Sequence, residues 1–90
     1  MGLDQIRSHI DELDAELVRT IAAREQLVRR AAAFKTDEQA VRAPGRVDQV
    51  IARVRSLAEQ AGGSPDVVEQ VYRAMIAAFI DLELSVHRDD

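Results

Sequence analysis

The apolar positions of the first third of the chain advance in alternating steps of three and four: Leu3, Ile6, Ile10, Leu13, Leu17, then Thr20, Arg24, Leu27, Ala31 and Phe34. That spacing predicts a helix packed lengthwise against other helices. Neither Pro nor Gly interrupts the run from Leu3 to Lys35. At 1.5 Å per residue it makes a rod of roughly 50 Å, longer than a compact domain of this size is wide, so it needs a partner. The helix is expected to start at Leu3 or Asp4, with Asp4 capping its free amides, and to run to Thr36 or Asp37.

The stretch TDEQAVRAPGR that follows loses the pattern and reads as a connection with an exposed tip. A second helix is predicted from Pro44, with Pro in the first helical position, through Val47, Val50, Ile51, Val54, Leu57 and Ala58 to Gln60. Gly62-Gly63-Ser64-Pro65-Asp66 then stops one helix and starts another: glycine for the left-handed exit, Ser64 as cap, Pro65 in the first turn. The third helix, Pro65 to about His87, is expected to bury Val68, Val71, Tyr72, Met75, Ile76, Phe79, Ile80 and Val86. With no strand signal and no internal repeat, the pattern predicts an all-α, three-helix chain in which residues 1–90 form a single domain.

Two residues break these apolar patterns. Arg24 stands in the seam of the first helix, where a lone buried cation costs several kcal/mol unless an anion meets it. Glu83 falls on the apolar side of the third helix, three or four residues beyond Phe79 and Ile80. Arg7 and Lys35 flank the seam toward its two ends. The plain alternative for all four is a charged side chain that reaches water along the helix surface.

Composition narrows the field. Of the 90 residues, 47% are hydrophobic and 31% charged, which suits a folded helical chain, and a domain this small gains from oligomeric burial. There is no cysteine, hence no disulfide, thiolate nucleophile or Cys-ligated metal; no metal or cofactor is expected. A net charge of −4 argues against nucleic acid as a partner. No run approaches the roughly 20 apolar residues of a membrane span, and the N-terminus lacks the features of a signal peptide, so a cytoplasmic protein is expected. His9 and His87 fall off the seam and near an end, and neither is expected to do chemistry.

Arg24 and Lys35 are eleven residues apart, about three turns, and so share a face, whereas Arg7 lies seventeen residues from Arg24, about 25 Å along the axis. If two such helices pack antiparallel in a symmetric dimer, Arg7 of one chain meets the C-terminal half of its partner's helix, and two composite sites follow from one axis. Each would hold Arg7 from one chain and Arg24, Lys35 and a loop cation, Arg42 or Arg46, from the other. Clustered cations in an acidic protein suit a small anion with two carboxylates, which Arg binds bidentately.

With these residues in place, the chain resembles the all-helical chorismate mutase family over nearly its whole length. The resemblance rests on I-R-x-x-I-D-x-L-D at Ile6 to Asp14, A-x-R-E-x-L at Ala22 to Leu27, Lys35, the loop V-R-A-P-G-R from Val41 to Arg46, and Glu83. It implies an intertwined homodimer of three-helix chains with two sites built from both subunits. It implies that Arg7, Arg24 and Arg46 hold substrate carboxylates or lock the site. Lys35 would donate to the ether oxygen of the breaking bond, and Glu83 would stand where relatives carry a Gln donor. The implied reaction, chorismate to prephenate, is pericyclic and needs restraint and preorganised electrostatics rather than a nucleophile or cofactor.

The chain departs from that pattern at three places. Val47 replaces a Glu that contacts the ring hydroxyl, Ala43 replaces an Asp, and Glu83 replaces Gln. The stretch K-x-x-E-x-A-V-x-A-P-x-R-V from Lys35 to Val47 is similar instead to isochorismate-pyruvate lyases of the same fold, which release pyruvate and salicylate. An ionised Glu83 would repel a dianion and could not donate, so activity is expected to rise as pH falls and in Glu83→Gln at neutral pH. The first expectation is a chorismate mutase. Behind it stand the lyase, a mutase of 4-amino-4-deoxychorismate, and a non-catalytic helical dimer, against which the retained Arg7, Arg24, Lys35 and Arg46 speak.

Overall fold

A computed structural model describes residues 2–89, and the side chains of residues 2–86. The described residues form four helices, α1 (Leu3–Ala32), α2 (Glu38–Arg42), α3 (Pro44–Gln60) and α4 (Pro65–Asp89). The three long helices fall where the apolar periodicity predicts them, and α2 is an addition inside the expected connection. His87 has its side chain outside the described residues.

At its start α1 is capped differently from the expectation. Gly2 is the N-cap residue, Ile6 donates to the Gly2 carbonyl at 3.1 Å, and the Gly2 N–H donates to Gln5 Oε1 at 3.0 Å. Asp4 therefore sits in the first turn, where its charge still opposes the helix dipole. The far end comes earlier than expected. The amides of Ala33, Phe34 and Lys35 turn to the carbonyls of Arg30, Ala31 and Ala32, the tighter i→i−3 pattern that ends a helix.

Asp37 then opens α2 by accepting from the Ala40 amide at 2.8 Å. Ala43 closes α2 and opens α3 in one residue: its N–H donates to Gln39, its carbonyl accepts from Val47, and its backbone is left-handed with φ 37°. Pro44 follows in the first turn of α3, where its missing N–H costs nothing.

The turn between α3 and α4 matches the Gly-Gly reading. Gly63 donates to the Ala58 carbonyl at 2.8 Å and Gly62 to Glu59 at 3.1 Å, a Schellman pair, with Gly62 at φ 80°. Val68 donates to the Ser64 carbonyl, which makes Ser64 the residue that leads into α4. Beside this turn, Arg55 of α3 meets Asp66 at 2.9 Å and Glu69 at 2.8 Å, and Arg73 meets Glu69 at 2.7 Å. These contacts hold the Glu69 carboxyl below its usual range, Arg73 contributing most, and raise Arg55.

α3 and α4 pack along each other, and only the C-terminal part of α1, with α2, joins them. Ala32, Val41, Ile51, Val54, Ala58 and Phe79 are the buried apolar residues, at least one from each helix. Val71, expected in this core, is exposed. The molecule is elongated, 52 × 25 × 15 Å.

The seam of α1, expected to need a partner, stands open within the single chain. Leu3, Ile6, Ile10, Leu13, Leu17, Ile21 and Leu27 are 42–61% exposed, and Phe34 is 88% exposed. Toward its own chain α1 buries Ala32 and half-buries Val28, while the predicted Leu27 and Ala31 border a cavity and remain exposed. An exposed apolar strip of this length is the kind of surface that interaction faces use. Thr20, in the strip, satisfies its hydroxyl on the Glu16 carbonyl at 2.9 Å.

Candidate functional site

Where α1, the α2–α3 junction and α4 converge, they enclose a cavity of about 330 Å³, within the range of small-ligand pockets. Four cations line it: Arg24 from the C-terminal part of α1, Lys35 from the turn that follows α1, Arg42 at the end of α2, and Arg46 in the first turn of α3. Helical spacing and the early end of α1 explain the convergence. Arg24 lies on the face of α1 turned toward α4, and the tightened turn after Ala32 carries Lys35 inward to partial burial.

Glu83 is the carboxylate in the lining, and it is buried, with 5% of its surface accessible. It does not bend out to water. Lys35 Nζ donates to both of its oxygens, at 2.8 and 3.2 Å. A carboxylate buried on an apolar helix face is stable only with such a partner, and Lys35 supplies it from another element. The irregularity on α4 and the lysine flanking the α1 seam are thus one contact.

The other cations differ in their company. Arg42 is bound along its own helix to Glu38, at 2.8 Å. Arg24 has no carboxylate partner among the described residues; its guanidinium carbon lies 5.3 Å from the Phe79 ring centre and 6.0 Å from that of Tyr72. Arg46 likewise has no ion pair or hydrogen bond among the described residues. Four cations facing one carboxylate leave the cavity electropositive inside a chain whose net charge is −4.

Val47 and Ala43 both line the cavity, which puts the two loop departures on its wall. The remaining walls are apolar: Leu27, Val28 and Ala31 from α1, Val41 from α2, Val50 from α3, and Ile76, Phe79 and Ile80 from α4. The last three were legible only as core residues. Their signal as lining is the spacing that puts Ile76, Phe79 and Ile80 on the face of α4 that carries Glu83. Arg7 is not among these residues; it is exposed near the far end of α1. His9 is exposed too, with Nδ1 3.7 Å from Glu12. Among the described residues no helix is long and apolar enough to cross a membrane, and no group of three or more His, Asp or Glu could hold a metal.

Such a cavity can hold a small dianion against an apolar wall, with a lysine positioned over a carboxylate at one end. The sequence places it among known proteins. It is 31% identical over 87 residues to the isochorismate pyruvate lyase of Pseudomonas aeruginosa, an alignment that covers 97% of this chain and 86% of that enzyme. Residues 6–84 match the family model of chorismate mutase type II. That match runs from the first turn of α1 through both loops and past Glu83 to Leu84 in α4, and the chain therefore belongs to the chorismate mutase type II family.

Proposed function

We propose that residues 1–90 are one catalytic domain that works as a homodimer and releases pyruvate from isochorismate to leave salicylate. The observation that carries this reading is the make-up of the cavity wall. The cation set is in place, while the loop side presents Ala43 and Val47, with no carboxylate to read a ring hydroxyl. The relative from Pseudomonas aeruginosa supports the same choice. Mutase activity, the first expectation from the sequence, becomes the second reading and is favoured by the family model.

Both reactions break the same kind of ether bond, and neither requires a nucleophile. In the lyase reaction the ring C–O bond breaks, a ring hydrogen passes to the enolpyruvyl methylene, and the ring becomes aromatic as pyruvate leaves. Negative charge grows on the ether oxygen as that bond stretches. Lys35 is the donor to that oxygen, and Arg24 and Arg46 bind the two carboxylates. Arg42 closes the loop side, and Glu83 sets the direction of the Lys35 ammonium.

Arg7 enters from a second copy. The exposed strip of α1 has the length and regularity of a helix–helix interface, and an antiparallel pairing along it brings Arg7 of one chain to the cavity of the other. The test is to incubate the protein separately with isochorismate and chorismate and identify the products. Salicylate with equimolar pyruvate supports the lyase. Prephenate from chorismate, with no salicylate from isochorismate, replaces it with the mutase; no product from either removes both.

A further inference from the structure

Arg24 is a part-buried cation in a cavity with no carboxylate beside it among the described residues, and its nearest charge-sensitive neighbours are the faces of two aromatic rings on α4. We infer that Phe79, seconded by Tyr72, is a positioning residue that holds the Arg24 guanidinium against α4 so that its donors face the dianion. The inference rests on the site reading above and adds to it the element that aims the carboxylate clamp.

Three observations carry it. Phe79 is buried, lines the cavity and lies one helical turn before Glu83, so ring, carboxylate and cavity share one face of α4. The guanidinium carbon stands 5.3 Å from its centre, within the roughly 6 Å over which a ring quadrupole attracts a cation. Tyr72, two turns before Phe79, lies at 6.0 Å, so the guanidinium is within reach of a second ring on the same helix. A ring face attracts the cation yet accepts none of its N–H bonds in the guanidinium plane. A carboxylate partner would occupy those donors before substrate arrives, as Glu83 and Glu38 do for Lys35 and Arg42. The rings fix the direction of Arg24 and leave its donors available.

A clamp on a carboxylate that does not react holds ground state and transition state alike, so loosening it raises KM and leaves kcat nearly unchanged. Phe79→Leu is expected to raise KM for the productive substrate about fivefold, with kcat changed less than about twofold. Phe79→Tyr, which keeps the ring, restores KM. A residue with only a packing role would instead lower the melting temperature and the active fraction while KM stayed put.

Two readouts do not depend on turnover. In arginine side-chain NMR spectra the Arg24 Nε–Hε resonance, assigned by its loss in Arg24→Lys, should lie upfield in the wild type from the shielding by the rings. It should return toward the position of exposed arginines in Phe79→Leu. Benzene-1,3-dicarboxylate, a rigid dianion, should bind Phe79→Leu about fivefold more weakly than wild type or Phe79→Tyr. An unshifted Arg24 resonance in the wild type overturns the inference, and so does an unchanged dissociation constant in folded Phe79→Leu. If neither substrate is turned over, the reaction assignment fails, while the resonance and the dicarboxylate still decide the role of Phe79.

Discussion

Replacing Glu83 by glutamine separates the two things that the Lys35–Glu83 contact does. In the empty protein the contact ties the turn after α1 to α4 through a carboxylate that is 5% exposed, with Lys35 Nζ at 2.8 Å. In Glu83→Gln the Lys35 ammonium still donates a charge-assisted hydrogen bond of about 1.5–3 kcal/mol to the amide oxygen, and what is lost is the attraction between opposite charges and the second acceptor oxygen. The Lys35 side chain is 26% exposed and keeps access to water, so the variant escapes the larger cost of stranding a buried charge. The net loss is about 1 kcal/mol, or about 4–8 °C in the melting temperature of a domain of this size. With ligand the sign reverses. The amide of Glu83→Gln neither competes as an anion for the Lys35 ammonium nor repels an incoming dianion, so benzene-1,3-dicarboxylate should lift the melting temperature of the variant more than that of the wild type. Turnover at neutral pH should rise as well. Thermal melts with and without the dicarboxylate give both quantities from one preparation. A variant that melts no lower than wild type when empty, or gains no more from ligand, refutes this account of Glu83.

The remaining predictions address assembly, pH and backbone. Arg7→Ala and Lys35→Ala, each inactive alone, should regain about a quarter of wild-type activity when unfolded and refolded together in equal amounts, because half the dimers are mixed and each mixed dimer has one intact site; no recovery would rule out sites shared between chains. Glu69, whose carboxyl is held low chiefly by Arg73, stabilises the fold above its ordinary value of 4.5 and ceases to do so as pH falls through its lowered folded value. Melts of wild type and Glu69→Gln should therefore differ at pH 7 and converge in acid, and a gap that persists there would contradict the pairing. Ala43→Gly relieves a left-handed alanine at about 1 kcal/mol, partly offset by the freedom of glycine in the unfolded chain, for a net gain of about 0.5 kcal/mol in urea unfolding with an unchanged slope. A loss of stability would show that the φ of Ala43 is not strained.

Much of the architecture was legible because long helices carry strong signals. The periodicity of Val47, Val50, Ile51 and Val54 and the Gly62-Gly63 stop gave α3 its bounds, and Arg24 and Glu83 announced themselves as polar residues on apolar faces. What escaped has specific causes. α2 has five residues and one buried side chain, Val41, too little for a period to show, although Asp37 three positions before Ala40 was a usable cap signal. The C-terminal half of α1 is wider than one seam: Val28 and Ala32 are the deeper residues, while Leu27 and Ala31 border the cavity and stay exposed. A heptad cannot distinguish a contact within the chain from one between chains. Phe79 is core, as its spacing predicts, and only its distance from Arg24 adds the contact with a cation.

The Schellman turn that joins α3 to α4 has a kinetic consequence. Its four residues, Ala61 to Ser64, bring two long helices together at small loop-closure cost, so the hairpin is expected to close early in folding, with α1 docking on it later. The cavity takes walls from all three, and no binding-competent cavity exists until that last step. A dianion should then slow unfolding in proportion to its occupancy and leave the refolding rate unchanged, because the transition state precedes the site it binds. Refolding accelerated by benzene-1,3-dicarboxylate would show that α1 is already docked at the barrier.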